Sequence, residues 1–255
     1  MSVLTSIKKT ITYAKKYGGN LTEKQLFERL IGNKVYTKEE INKFIKLKVC
    51  KVIKSNEGEI LKDKIKKAEE LAKLIEKRFK DILFLGITGS VAAGYPKKGD
   101  DIDIIIITKA NKLWLTRLKL RIFVFVNKIP HRKFGKKEKK DEFCFNLWLD
   151  EKNLEINKER QTLKNAVDLI LVKVLINRNK IYERFLVANG WVKKMVATGY
   201  DKKIRDLGFK KYDLRIKEKL FDIITNWLMF WPQFWYMKKR IKNEMINLHQ
   251  AFFHH

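Results

Sequence analysis

Residues 82–104 read ILFLGITGSVAAGYPKKGDDIDI, two apolar runs joined by a glycine-rich connection. The first run, 82–88, has the length and composition of a buried strand, and Gly89-Ser90 stops it. Ten residues then intervene before Asp101-Ile102-Asp103-Ile104 opens a second apolar run, 102–108. Side chains alternate along a strand, so Asp101 and Asp103 leave one face together, where both can ligate a hard divalent cation through oxygen. A strand ending in glycine lets the backbone approach a triphosphate closely. A short helix starting at Ser90 would add free N–H groups, and the Ser90 hydroxyl is a further donor. Asp100 should point to the opposite face and reads as a turn or cap residue.

Gly89-Ser90 and Asp101-Ile102-Asp103-Ile104 at this spacing resemble the pattern of the DNA polymerase β-like nucleotidyltransferase superfamily: an apolar residue, Gly, Gly or Ser, a spacer, then Asp, apolar, Asp or Glu, apolar. Thr88 departs from it, standing where an apolar residue is commoner. The resemblance implies an α/β (α+β) nucleotidyltransferase fold, a short mixed sheet flanked by helices. It also implies Mg²⁺- or Mn²⁺-dependent transfer of a nucleoside monophosphate from an NTP, ATP first among them, to an acceptor hydroxyl with release of pyrophosphate. Gly89 and Ser90 would then hold the nucleotide, while Asp101 and Asp103 would be catalytic metal ligands. The superfamily usually adds a third carboxylate from a later strand, as metal ligand or base. Here the strand 143–149 carries Asn146 and then Asp150 on the face opposite its phenylalanines, which makes Asp150 the catalytic candidate and leaves an amide at the central position. The other reading of Asp150 is a turn residue opening Asp150-Glu151-Lys152-Asn153. Leu113-Trp114 through Arg117, Phe143 through Leu149 and Ala188-Asn189-Gly190-Trp191-Val192 are similar to a bacterial and archaeal group of nucleotidyltransferases with a winged helix before the catalytic domain and helices after it.

Working outward, residues 4–17, 22–30 and 37–48 form three helical segments separated by Gly18-Gly19 and Gly32-Asn33-Lys34, with Thr22 and Thr37 as N-caps. Residues 49–61 place β-branched side chains on both sides of a turn-like Ser55-Asn56-Glu57-Gly58, which predicts a hairpin and so a winged helix-turn-helix. Residues 61–79 predict a long amphipathic helix and 113–126 another, 130–140 a basic loop, and the chain from 159 onward is read as largely helical. The domain expectation is a winged helix over 1–60, a catalytic domain over 61–157 and a helical region over 158–255.

Arg117 and Arg121 lie one turn apart on the 113–126 helix. Arg117 is the candidate phosphate contact, against the alternative of a solvated helix face. Trp227, Phe230, Trp231, Phe234, Trp235 and Tyr236 form an aromatic stripe that at helical spacing reads as core rather than a platform for bases. Among the 255 residues the formal net charge is +28. That excess points to a polyanionic partner, RNA ahead of DNA, through counterion release. Lysine-rich composition imposed without selection for binding is the competing reading. No apolar run approaches the roughly 20 residues of a membrane span, and no secretory signal is evident, so a cytoplasmic protein with no membrane partner is expected. Cys50 and Cys144 are far apart, with no metal-ligand spacing around them, and read as buried thiols. Two other functions stay open: a nucleic-acid-binding protein whose transferase fold is a relic, and an antitoxin-like transferase that modifies a protein.

Overall fold

The computed structural model describes residues 1–47, 53, 58–133, 139–208, 219–241 and 243–253. Its first helices are α1 (Val3–Lys16), α2 (Glu23–Glu28) and α3 (Lys38–Lys46). Thr22 and Thr37 begin the second and third, each in a reciprocal capping box with the side chain three residues on, Gln25 and Glu40. Ile7, Ala14, Leu21, Leu26, Leu30 and Ile41 close a small core between the three. The hairpin expected at 49–61 falls mostly outside the described residues. Its last part is instead the first turn of a long helix, α4 (Glu59–Arg78), which starts directly after Gly58.

The centre of the molecule is one six-stranded mixed sheet. Its strands are β1 (Ile82–Ile87), β2 (Ile102–Thr108), β3 (Phe143–Asp150), β4 (Lys173–Asn177), β5 (Met245–Ile246) and β6 (Gln250–Phe252), in the order β4-β1-β2-β3-β6-β5. Only β2 and β3 run parallel. The helix α6 (Leu113–Val126) makes the crossover between them, as a parallel pair requires. The one-turn helix α5 (Gly89–Ala93) joins β1 to β2.

The central strands are apolar on both sides because both faces are covered. Ile102, Ile104 and Ile106 of β2 pack under α4, α6 and α10 (Leu220–Lys238), meeting Leu71, Ile75, Trp114, Leu120 and Phe230. Ile105 and Ile107 face the other way, against α7 (Leu163–Leu171) and α8 (Ile181–Ala188), a core that α9 (Ala197–Asp206) joins through Tyr200 and Ile204. There Phe84 stacks on Tyr182 with ring centroids 5.2 Å apart. Burial of a side chain of this size is worth about 1.5–3 kcal/mol, so the two-sided core rather than helix propensity fixes the layers.

Two expectations change. Val174 and Leu175 belong to β4 rather than to a continuing helix, and β4, β5 and β6 bring residues beyond 158 into the central sheet. A short strand and a buried helix look alike in an apolar run, and only pairing with β1 decides between them. The aromatic stripe is also mostly surface: Phe230 is buried, while Trp227, Trp235 and Tyr236 are about half exposed or more. Helix α10 covers the sheet through Asn226, Phe230 and Met237, and the stripe is wider than that face. No described helix is long and apolar enough to cross a membrane.

Candidate active site

Strand β1 delivers the chain to Gly89, whose φ of +65° lies in the left-handed region that glycine adopts without strain. A Cβ there would also collide with a carboxylate oxygen of Asp103. The Gly-Ser turn and the Asp-Ile-Asp strand are thus in direct contact, with the Thr88 N–H donating to the Asp103 carbonyl at 2.9 Å. Glycine at this position is demanded twice, by the backbone and by the acid beside it.

Asp101 and Asp103 stand together as strand alternation required. One ligand atom from each, with Sγ of Cys144, lies within 4.8 Å of the others. Cys144 is the register partner of Asp103 on β3. Burial, then Asp101 and Asp168, push the Asp103 carboxyl up to about 7, against a hydrogen bond from the Cys144 thiol. The thiol itself is pushed up by burial and by Asp103, so it stays protonated and donates. Arg132 offsets part of the charge, its Nη1 lying 3.1 Å from Oδ2 of Asp101. Two crowded carboxylates with this residual repulsion suit a hard divalent cation bound through oxygen, whereas a neutral thiol suits Mg²⁺ poorly as a ligand. Among the described residues this cluster could hold a metal ion.

These acids open into a cavity of about 550 Å³. Tyr13, Lys15 and Lys16 of α1, with Tyr17 at its C-cap, form one wall, and Lys97 and Tyr95 of the β1–β2 connection a second. Lys164 and Asp168 of α7 close a third. The N-terminal helices reach it because they are tied to the body of the protein. Arg29 Nη1 donates to the Ala93 carbonyl at 3.1 Å, and Gly32 exchanges main-chain hydrogen bonds with Met195 and Ala197.

Asp168 escaped the sequence reading. Burial pushes its carboxyl up to about 6, with Lys164 one turn earlier pulling it down. An acid poised there is ionised at neutral pH yet able to take a proton, the property a general base needs. Its signal in the sequence was an aspartate interrupting the apolar run Val167 to Leu171.

No protein-family model, curated protein or solved structure matches the chain.

Of the residues singled out in the sequence, Gly89, Ser90, Asp101 and Asp103 line the cavity, and so does Asn146. Asp100, expected on the opposite face, lines it too because it precedes the strand, and it holds the turn, its Oδ2 accepting from the Lys97 N–H at 2.9 Å and from the Ser90 hydroxyl at 2.8 Å. The Ser90 hydroxyl is therefore committed to Asp100 in this state.

Asp150 is elsewhere. It pairs with Thr108 at the far end of the β2–β3 ladder, five β2 positions from Asp103 and so ~17 Å along the strand. Fully buried, it accepts from the Asn111 and Lys152 N–H groups and from His249 Nδ1. These bonds tie it to the turn that follows β3 and to the chain before β6. Arg117 is not brought to the cavity either, nor is it solvated. It is buried over the faces of Trp114 and Phe253 and lines a separate cleft with Arg121, His131, Arg132 and Lys133.

Proposed function

We propose that this protein is a metal-dependent nucleotidyltransferase of the DNA polymerase β-like kind, its three N-terminal helices belonging to a winged helix. It moves a nucleoside monophosphate from an NTP to an acceptor hydroxyl, RNA being the acceptor class its charge favours. The observation that carries the proposal is the contact of Gly89 with Asp103, which makes the Gly-Ser turn and the paired aspartates one site in one cavity.

A divalent cation held by Asp101 and Asp103 would, when bound, offset charge on the triphosphate and sharpen the acceptor hydroxyl as a nucleophile. Lys15, Lys16, Lys97 and Lys164 line the same space and complement phosphate oxygens. Tyr13 and Tyr17, with ring centroids 5.0 Å apart, and Tyr95 offer aromatic surface to a base. Asp168 takes the acceptor proton as the acceptor oxygen bonds to the α-phosphorus and the bond from that phosphorus to the pyrophosphate oxygen breaks. With Asp168 present, the amide at Asn146 and the remoteness of Asp150 no longer leave the site short of a third acid.

The test is incubation of the full chain with each α-labelled NTP, Mg²⁺ or Mn²⁺, and either total RNA or total protein. Label on RNA, lost in Asp101→Ala and Asp103→Ala, is the expected result. Label on protein selects the protein-modifying alternative. Wild type that binds Mg·NTP yet labels nothing in either mixture overturns the enzyme reading.

A further inference from the structure

Arg117 of α6 is 5% exposed, and no described carboxylate balances it. Its Nη1 donates to the Gln233 amide oxygen at 2.6 Å and its Nη2 to the Met237 sulfur at 3.3 Å, both neutral partners. The faces of Trp114 and Phe253 complete its surroundings. A buried cation normally finds a counter-charge, because desolvation is otherwise uncompensated. Here the next charged neighbour is another cation: burial and then Arg121 push the Arg117 guanidinium down to about 9. Arg121, one turn on, forms no ion pair with a described residue.

Both arginines line a cleft on the α6 side of β3, together with His131, Arg132, Lys133 and Cys144. His131 donates Nδ1–H to the Ile129 carbonyl, which leaves Nε2 as its other hydrogen-bonding group. The cleft includes no carboxylate among its lining residues and holds about 40 Å³, room for about three waters and too little for a nucleotide. Two of its walls belong to the catalytic centre as well: Arg132 bonds Asp101, and Cys144 sits beside Asp103.

We propose that this cleft binds a single phosphate group, held by Arg121, Lys133 and the field of Arg117 at the margin of the Asp101–Asp103 site. A guanidinium pair beside an imidazole and a lysine matches tetrahedral oxyanion chemistry, and the small volume selects one such group. Resting on the transferase reading, the bearer of that phosphate is the acceptor's backbone, which the cleft holds beside the cation site. Free phosphate or released pyrophosphate carries the same chemistry.

Binding is measured on the full chain by calorimetry with three probes, each at matched ionic strength. These are inorganic phosphate, pyrophosphate, and a six-nucleotide single-stranded RNA compared with its methylphosphonate analogue. Arg121→Gln/Lys133→Gln should weaken phosphate binding at least fivefold and leave the Mg²⁺ complex of a non-hydrolysable NTP within twofold. Asp103→Asn should do the reverse. Lys73→Gln, on the exposed face of α4, controls for loss of general positive charge. RNA losing affinity as the methylphosphonate, and in the double variant, identifies the backbone as the source. Tight pyrophosphate with indifferent RNA assigns the cleft to the leaving group instead and overturns the acceptor claim. Equal phosphate binding by wild type, the double variant and Lys73→Gln overturns the site. If Mg·NTP binding is absent while the phosphate result holds, the transferase reading has failed and the anion site has not.

Discussion

Asp103→Asn should stabilise the metal-free protein at pH 8 and do nothing at pH 4. The wild-type carboxyl is pushed from 3.8 to about 7 by burial, Asp101 and Asp168, with Lys164 and the Cys144 thiol opposing. Between those values the folded protein holds a proton that the unfolded chain has released, so stability falls as pH rises through that window and the full penalty is present above 7. At 1.36 kcal/mol per tenfold, the gap corresponds to on the order of 2–4 kcal/mol once sharing with Asp101 and Asp168 is allowed for. For a chain of this length that is a Tm rise of ~5–10 °C. Asparagine is nearly isosteric and keeps an oxygen for the Cys144 thiol, so packing changes little. The assay is thermal unfolding of both proteins from pH 4 to pH 9, with EDTA and with Mg²⁺. Wild type should gain stability from Mg²⁺ at pH 8, and the variant should not, because its cation ligand is gone. A variant that melts at or below the wild-type temperature at pH 8 in EDTA, or one that responds equally to Mg²⁺, would refute the electrostatic account of the site.

Asp168→Asn should lower the rate of the chemical step by ~10²–10⁴-fold with little change in NTP affinity. The wild-type rate should rise with pH through about 6, the range of the Asp168 carboxyl, and the variant's residual rate should lack that rise. Asp150→Asn is expected to act on stability instead, costing ~1–3 kcal/mol because no amide orientation satisfies the Asn111, Lys152 and His249 donors together. Single-turnover transfer at a permissive temperature should be within a few-fold of wild type, and a thousandfold loss there would return Asp150 to the chemistry. Gly89→Ala should destabilise by ~1–3 kcal/mol through its φ of +65° and displace the Asp103 carboxylate, abolishing Mg²⁺-dependent stabilisation. Retained Mg²⁺ binding in a folded Gly89→Ala protein would show that the close packing of turn and acid is dispensable.

Local physics made much of this protein legible from its chain. Strand alternation puts Asp101 and Asp103 on one face whatever the tertiary structure does, and Thr22 and Thr37 cap their helices by accepting from the backbone N–H three residues on. Residues 113–126 announce α6 at its observed limits because their apolar content suits a helix buried on a sheet. What depends on distant parts of the chain was not readable. The strand 173–177 exists because β1 offers it an edge, and the aromatic stripe of α10 exceeds the face its neighbours cover. Asp150 and Asp168 both lie where spacing along the chain could not place them. On β3 the parallel register with β2 carries Asp150 to the end of the ladder away from Asp103, a matter of pairing that alternation cannot show. Asp168 lines the cavity because α7 folds back over the opening beside Asp103. Spacing along one strand determines which side chains share a face, but only packing between elements decides which faces share a cavity.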